Sequence, residues 1–473
     1  MHPLSLTNSL TRSKEVFVPR EQKEVTIYTC GPTVYDYVTI GNLRSYVFAD
    51  TLKRTLLFNG HTVNHTINLT DFGHLTSDAD EGEDKMMIAL KRAGKPLTLA
   101  AMAEVAQQFT DAFKADMDAI GALPPTQYTP ASRYLSEEIA LVKVLDEKGY
   151  TYETSDGLYF DISRFPSYGT LGNIDLNKLK EGARVEANPE KKHPADFAVW
   201  KKGELGWDSP WGKGFPGWHI ECTAMAFATL GKQIDIHTGG IDHIATHHNG
   251  EIAQAEAATG KSPYVRYWMH NAFITIDNTK ISKSLGNTIK LSQLVERGYS
   301  PRAYRYWLLT GHYSSPMNFT FEALDGAAQA HFRLKRVMYE DLAGHSGGTP
   351  NAAYLEKFTA HINNDLDTPG AIALLWEVIK DKELSPKDKR ATIRAFDAVL
   401  ALGLSEDRSD DAARSLGIIK TESLPKEVQD LIAKREQARS EKRWADADTL
   451  RQQINLEGYL VEDSPSGTKI TKA

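Results

Sequence analysis

Cysteine is nearly absent from the chain: two residues, Cys30 and Cys222, in 473. That scarcity excludes paired CxxC metal motifs, and no disulfide is expected between the two thiols in a reducing compartment. Taken alone, they read as two unrelated buried thiols. Long apolar runs are missing too. No stretch approaches the roughly 18 residues needed to span a bilayer, and residues 1–17 lack the apolar centre of a signal peptide. A cytoplasmic location without membrane attachment is therefore expected. A basic excess is also lacking, since the net charge is -7, and the overall balance does not advertise a nucleic-acid partner. Internal repeats and low-complexity tracts are absent from the sequence.

What is present is an ordinary globular balance of 41% hydrophobic and 25% charged residues, in a length that suits about three domains. The acidic average conceals a local reversal. Residues 280–340 hold nine Lys/Arg against four acids, a weak footprint for a polyanion that a solvated helix face would also produce. Near the N-terminus, Val25-Thr26-Ile27-Tyr28-Thr29-Cys30 reads as a strand that stops at Gly31-Pro32. From Leu43 the apolar spacing becomes helical through Val47, Phe48, Leu52, Leu56 and Leu57, and Gly60 ends it. Residues 61–69 read as a second strand. This βαβ unit opens a parallel, doubly wound sheet.

Further along, residues 78–85 read as an acidic loop, followed by one long helical stretch to about Gly121. Residues 126–205, with a helix near 137–148 and short strands, read as an insertion. Ile234-Asp235-Ile236-His237 and residues 272–276 read as returning strands of the sheet. After about residue 325 the pattern is helical, residues 405–425 read as a linker, and two helices and a hairpin around Pro465-Ser466-Gly467 close the chain. The expected division is 1–125 and 206–270 for the two halves of a sheet domain, 126–205 for the insertion, and 271–325 for a linking module. Residues 326–405 form a helical bundle and 420–473 a small α+β domain. The fold class expected is α/β, with a Rossmann-like parallel sheet.

Three constellations carry chemistry. Thr39-Ile40-Gly41-Asn42 lies before a helix, where backbone N–H groups bind phosphate, although ordinary helix caps look the same. Lys280-Ile281-Ser282-Lys283-Ser284-Leu285-Gly286-Asn287 is a cationic loop suited to neutralising charge on a triphosphate under attack, or else an exposed polar turn. His247 and Glu251 share one face of a helix-forming segment. With Cys30 and Cys222 they are credible zinc ligands, while His243 and His248 compete for the same place.

These blocks also occur together in one family. Tyr28-Thr29-Cys30-Gly31-Pro32-Thr33-Val34-Tyr35-Asp36, Pro216-Gly217-Trp218-His219-Ile220-Glu221-Cys222, Gly239-Gly240-Ile241-Asp242 through Glu251, and the Lys280 block resemble the cysteinyl-tRNA synthetase motifs in their order. Asn68-Leu69-Thr70-Asp71 and Trp444-Ala445-Asp446-Ala447-Asp448 extend the resemblance over nearly the whole chain. It implies a class I enzyme that activates L-cysteine with ATP and passes it to the 2′-hydroxyl of the terminal adenosine of tRNA(Cys). Cys30, Cys222, His247 and Glu251 match the zinc ligands of the family, and the zinc there holds the substrate thiolate. Thr70 and Trp218 match the amino-acid pocket. Thr39, Gly41 and Asn42 match the first ATP signature, Lys280 and Lys283 the second, and Gly239, Gly240 and Asp242 the adenosine block. Lys283 is the expected main transition-state contact, with Lys280 assisting, and Mg2+ accompanies ATP. Arg439, Trp444, Asp448 and Asp463 resemble positions that read the anticodon. The resemblance also implies a monomer.

Rival readings are a ligase that joins cysteine to an amino sugar, which lacks the tRNA-reading C-terminal domain, and a non-catalytic descendant that only binds tRNA or zinc. Three departures from the family stand out. Ile281 replaces methionine, Asn249-Gly250 replaces Glu-Asn ahead of Glu251, and Thr39 replaces histidine. The last removes an imidazole donor toward the phosphates and bears on adenylation rate. Thr39→His is therefore expected to raise the activation rate in a matched kinetic comparison. No gain, or a loss, would mean that another group already fills the role.

Overall fold

The computed structural model describes residues 2–22, 24–72, 85–176, 188–280, 288–404, 419, 421–464 and 467–472. At its centre lies a sheet of five parallel strands, β1 (Glu24–Thr29), β2 (Thr62–Leu69), β3 (Gln127–Pro130), β4 (Ile234–Gly240) and β5 (Val265–Asn271). The order across the sheet is β5-β4-β1-β2-β3. β1 and β4 are neighbours in register, with Ile236 beside Ile27 and Thr238 beside Thr29. Both faces are covered, so apolar and polar residues of these strands are buried alike: Val25, Ile27 and Tyr28 on β1 and Ile234, Ile236 and His237 on β4 are fully buried.

Three helices position the site. Helix α1 (Ile40–Phe58) links β1 to β2, α2 (Trp218–Leu230) precedes β4, and α3 (His247–Thr259) links β4 to β5. α1 starts three residues earlier than its apolar spacing suggests, because a capping box sets its first turn. The Thr39 hydroxyl accepts from Asn42 N–H at 3.3 Å, and Asn42 Oδ1 accepts from Thr39 N–H at 2.9 Å. Periodicity reports buried side chains and is silent about such caps.

Two other expectations change. The long helical stretch is two helices, Lys85–Ala93 and Leu99–Ala119, broken where Gly94 takes a positive φ and Thr98 caps the second. Residues 272–276 do not return to the central sheet. Ala272 N–H bonds to Tyr313 C=O instead, and Ile274–Ile276 pairs with Thr279–Lys280 and Met317–Phe319 in a separate three-stranded sheet. The strand that closes the central sheet is β5.

Between β3 and α2 the chain builds helix Leu135–Glu147 and a four-stranded antiparallel sheet, Thr151–Thr154, Gly157–Phe160, Phe197–Trp207 and Gly214–Pro216. After Met317–Phe319 come helices Phe321–Arg336, Ala352–Asn363, Thr368–Lys380 and Pro386–Leu400. Helices Lys426–Ser440 and Trp444–Leu456 and the hairpin Tyr459–Ser464/Gly467–Lys472 form the C-terminal unit around Val428, Ile432, Ile454, Val461 and Ile470. Among the described residues no helix is long and apolar enough to cross a membrane.

A buried ionic node ties α1 to the helical bundle. Asp50 Oδ2 lies 2.6 Å from Arg305 and 2.8 Å from Arg54, while Oδ1 accepts from Leu123 N–H at 2.7 Å. Arg305, on helix Pro301–Leu309, also donates to Leu400 C=O at 2.8 Å, so the charge pair is tied to the bundle through a main-chain carbonyl. Burial opposes ionisation of Asp50, but Arg305 and Arg54 outweigh it and hold the carboxyl below its ordinary value. Its contribution to stability is therefore complete above the ordinary carboxylate range and is lost as pH falls through the depressed value. Asp50→Asn would leave Arg305 buried without its counter-charge and should cost about 3 kcal/mol or more. Urea unfolding at pH 7 checks this, and a loss under about 1 kcal/mol would show that the node behaves like an exposed pair.

Candidate active site

The strand order reverses between β1 and β4, and in open parallel sheets the crevice beyond such a point receives the ligand. Here the crevice is a cleft of about 700 Å³. Cys30 follows β1 directly, and its N–H donates to Thr238 C=O on β4 at 3.1 Å. Gly31 passes so close to β2 that a Cβ there would sit 1.6 Å from Asn68 O, so no larger residue fits. Cys222 comes from α2, and His247 and Glu251 come from the first turns of α3.

One donor atom from each of Cys30, Cys222, His247 and Glu251 lies within 4.8 Å of the others, and all four residues are buried. A second group, Cys30, His237, His248 and Glu251, meets the same limit. The two share a thiol and a carboxylate but differ in access. Cys30, Cys222 and His247 line the cleft, whereas His237 and His248 do not. The remaining rings form a buried network behind the donors. His237 Nε2 lies 3.0 Å from Glu251 Oε2, His219 Nδ1 lies 2.9 Å from His247 Nδ1, and His248 Nδ1 lies 2.7 Å from His270 Nε2. Burial opposes ionisation of Cys30, but the Cys222 hydrogen bond and the charges of His248, His243 and His247 hold its thiol well below the ordinary range. Burial likewise opposes charge on His247, yet Cys30 and Glu251 raise it to about 10. The pocket thus favours a thiolate beside cationic partners, the charge state a metal would take over.

The same cleft gathers the other candidates. Thr39, Gly41 and Asn42 line one side, Gly239, Gly240 and Asp242 another, and Thr70 stands near the cysteines. The Thr70 hydroxyl donates to Glu221 Oε2 at 2.8 Å. Lys283 lies outside the described residues, as do the side chains of Lys280 and Trp218. The backbone of Lys280 closes the short strand Thr279–Lys280, and Trp218 opens α2. The four candidate anticodon contacts all belong to the C-terminal unit, and two of them are paired. Arg439 bonds Asp463, Asp448 stands one turn beyond Trp444 on its helix, and Trp444 is 59% exposed.

Sequence reasoning missed His219, His237 and His270 around the donors, and Arg435. Buried Arg435 grips Asp463 with two parallel bonds at 3.0 and 2.6 Å. His237 carried no distinguishing signal, since Asp235 and Thr238 on the same strand are polar too.

Comparisons with known proteins bear on the family and the fold. The family described as the class I (C) tRNA synthetase catalytic domain matches residues 16–329, and the cysteinyl-tRNA ligase anticodon binding domain matches residues 421–470. A Cysteine--tRNA ligase 1 of Burkholderia lata is 45% identical, covering 99% of this chain and 97% of its own. The chain belongs to the cysteinyl-tRNA synthetase family. A Cysteine--tRNA ligase of Treponema denticola is 40% identical, covering 98% of this chain and 99% of its own. Solved structures share the fold at low identity. A Mycobacterium tuberculosis methionyl-tRNA synthetase gives a TM-score of 0.56 at 15% identity, covering 84% and 93% of the two chains. A LeuRS from Agrobacterium radiobacter gives 0.59 at 12%, covering 85% and 86%.

Within this synthetase family the departures at Asn249-Gly250 have a local cause. Asn249 joins the insertion to the site by accepting from Gly169 N–H at 3.1 Å and donating to Leu171 C=O at 3.0 Å. A Cβ on Gly250 would meet the His219 ring at 2.7 Å. The Thr39 hydroxyl also has a local task, since it donates to Asn42 Oδ1 at 2.8 Å. A histidine there would give up this helix cap, typically worth about 1 kcal/mol.

Behind Glu221 lies Glu138, fully buried, with neither carboxyl oxygen hydrogen-bonded among the described residues. Burial, with Glu221 and Asp71 nearby, holds its carboxyl well above the usual range. Folding therefore takes up a proton at Glu138, and stability falls as pH rises above the unfolded carboxylate value. Glu138→Gln should flatten this decline between about pH 5 and pH 8 in thermal melts. Identical slopes for variant and parent would show that Glu138 is ionised in the fold.

Proposed function

We propose that this chain is a cysteine–tRNA ligase that activates L-cysteine with ATP and transfers it to the 2′-hydroxyl of the terminal adenosine of tRNA(Cys). The observation that carries the reading is one cleft that joins a thiol-rich donor set to a glycine-lined nucleotide wall and a capped helix N-terminus. The family membership gives the reaction class, and the cleft supplies the parts it needs.

The donor set fits zinc, with two thiolates, one imidazole and one carboxylate in a buried pocket. Of the two overlapping groups we assign Cys30, Cys222, His247 and Glu251, because three of these four face the cleft from which substrate arrives. His237 then orients Glu251 from behind. Bound there, zinc would supply a soft position that takes a thiolate readily and an alcohol poorly. Thr70 and Trp218 would line the amino-acid pocket.

The backbone at Gly41 and Asn42 would receive the ATP phosphates at the start of α1. Gly239, Gly240 and Asp242 would hold the adenosine, and Lys283, with Lys280, would neutralise charge as the cysteine carboxylate attacks the α-phosphorus. That step forms the carboxyl–phosphorus bond and expels pyrophosphate, accompanied by Mg2+. The terminal adenosine 2′-hydroxyl then attacks the acyl carbon and releases AMP. These residues act by position and charge, and no covalent nucleophile on the chain is required. Arg439, Trp444, Asp448 and Asp463 would read the anticodon. The division into sheet domain, insertion, linking module, bundle and anticodon unit, a monomeric state and a cytoplasmic location belong to the same proposal.

Cysteine-dependent ATP–pyrophosphate exchange tests the reading, with serine and a zinc-depleted sample as controls. Exchange should need cysteine and zinc and be negligible with serine. Cobalt loading tests the ligand choice. Cys222→Ser and His247→Gln should abolish the thiolate-to-cobalt absorption or weaken metal binding far more than His237→Gln, whose loss should cost about 10- to 100-fold in affinity. Retained binding in Cys222→Ser with complete loss in His237→Gln would move the ion to the second group.

A further inference from the structure

Helix α1 is bonded to the chain on both sides of the lysine-rich block at residues 280–287. On one side Ile40 N–H donates to Ile289 C=O at 2.8 Å, and the buried Tyr304 hydroxyl donates to Ile40 C=O at 2.6 Å. On the other, Arg44 Nη1 donates to Phe273 C=O at 2.8 Å, just before the hairpin Ile274–Ile276/Thr279–Lys280. Arg44 Nη2 reaches the carbonyls of Tyr313 at 3.1 Å and His312 at 3.2 Å, and that of Ser315.

The guanidinium is an unusual fastener. Arg44 is 3% exposed, and among the described residues no carboxylate lies within ion-pair distance of it. Burying a cation costs several kcal/mol unless its hydrogen bonds are well made. Here they are made entirely to main-chain oxygens, in the forked geometry that a guanidinium alone supplies. Burial lowers its pKa to about 10, which leaves it charged at neutral pH. A pair of opposite charges would hold two side chains together, whereas this arrangement fixes backbone. The backbone it fixes is where the chain leaves β5 for Lys280 and where it returns before Met317–Phe319.

We propose that Arg44 is a positioning residue for adenylation, holding the segment that leads into Lys280 against the helix that begins at Thr39. The chain on either side of the lysine block is then held at a fixed place relative to Thr39. This inference rests on the roles given to Thr39 and Lys283 under the proposed function, and it adds a residue that touches neither substrate nor metal.

The test is a double-mutant cycle in pyrophosphate exchange on the full zinc-loaded chain, with Arg44→Lys, Arg44→Gln, Lys283→Ala and the combinations. Thermal melts verify folding. The Arg44 variants should lower kcat/KM for ATP about 10- to 100-fold, the scale of a misplacement near 1 Å. In the cobalt-loaded protein the half-saturation for L-cysteine, read from thiolate absorption, should stay unchanged. Lys283→Ala should cost several-fold less in an Arg44 variant than in the parent, because the lysine is already misplaced. A merely structural role would lower both substrates' parameters together and leave the lysine's effect intact, and that result overturns the inference. So does parental exchange in both Arg44 variants. Should Arg44→Gln not fold, Arg44→Lys decides alone. If Lys283→Ala by itself leaves exchange unaltered, the reading of the site fails first and the inference falls with it.

Discussion

Ile236 lies beside Ile27 and Thr238 beside Thr29, and that parallel register between β1 and β4 is the constraint on which the centre of the molecule depends. It brings the C-terminal ends of two strands far apart in sequence to one level, with α1 following one and α3 the other. Cys30 is delivered at the end of one strand and Gly239-Gly240 at the end of the other. A slip of one residue would turn His237 out of the donor network and bring Ile236 or Thr238 into its place, since side chains alternate along a strand. Ile27, Ile234 and Ile236 are fully buried, so the register is enforced by the same apolar contacts that form the core. Ordinary packing thus sets the chemistry of the site, and the polar groups only need to follow.

Those polar groups are many for so small a volume. Cys30 and Cys222, five histidines (His219, His237, His247, His248 and His270) and Glu251 are all buried around the end of β4. Isolated imidazoles and thiols in such surroundings ionise only at a high cost, and His248 and His270 are held below their ordinary range mainly by burial. His270 ends the chain of rings on the Ser9 hydroxyl at 2.7 Å. The network has a direction. The rings of His248 and His270, held below their ordinary range, do not line the cleft, while the groups that favour charge, Cys30 and His247, do. A divalent ion entering from the cleft would find the ionised donors first and the orienting rings behind them, the order in which metal sites are usually built.

How much of this is legible from sequence depends on how local the signal is. His247 and Glu251 are four apart on a helix, so their shared face can be read directly, and the strand-stop at Cys30-Gly31-Pro32 locates the first thiol. Which histidine joins them cannot be read from spacing, because His247 and His248 differ only in which side of α3 they leave, and the cleft that separates them is assembled from distant segments. His237 is hidden for the same reason. Against the family pattern Thr39 looks like a lost donor, whereas its hydroxyl closes a box with Asn42 that apolar periodicity cannot register. Residues 272–276 have strand composition, and their departure from the central sheet is decided by Tyr313 and Met317–Phe319, much later in the chain. Arg44 gives no sign at all. An arginine amid the apolar positions of a helix reads as solvent-facing until the carbonyls that bury it are known.

The two ends of the molecule solve opposite problems with the same side chain. Arg44 is buried and bonded to backbone, which makes it hard to displace, because any movement strands several carbonyls at once. In the C-terminal unit, Asp463 is held by two arginines of unequal standing. Arg435 has a side chain only 3% exposed and bonds with both nitrogens, whereas Arg439 is 34% exposed and bonds with one. Exposed pairs cost little to open, since water replaces the partner. A polyanion arriving at this surface would therefore compete for Arg439 and leave the Arg435 grip intact, with Asp463 still aimed by it. On the proposed function, the catalytic end keeps its geometry through two successive bond-making steps, and the distal end exchanges an internal partner for an external one. Burial is what separates the two behaviours.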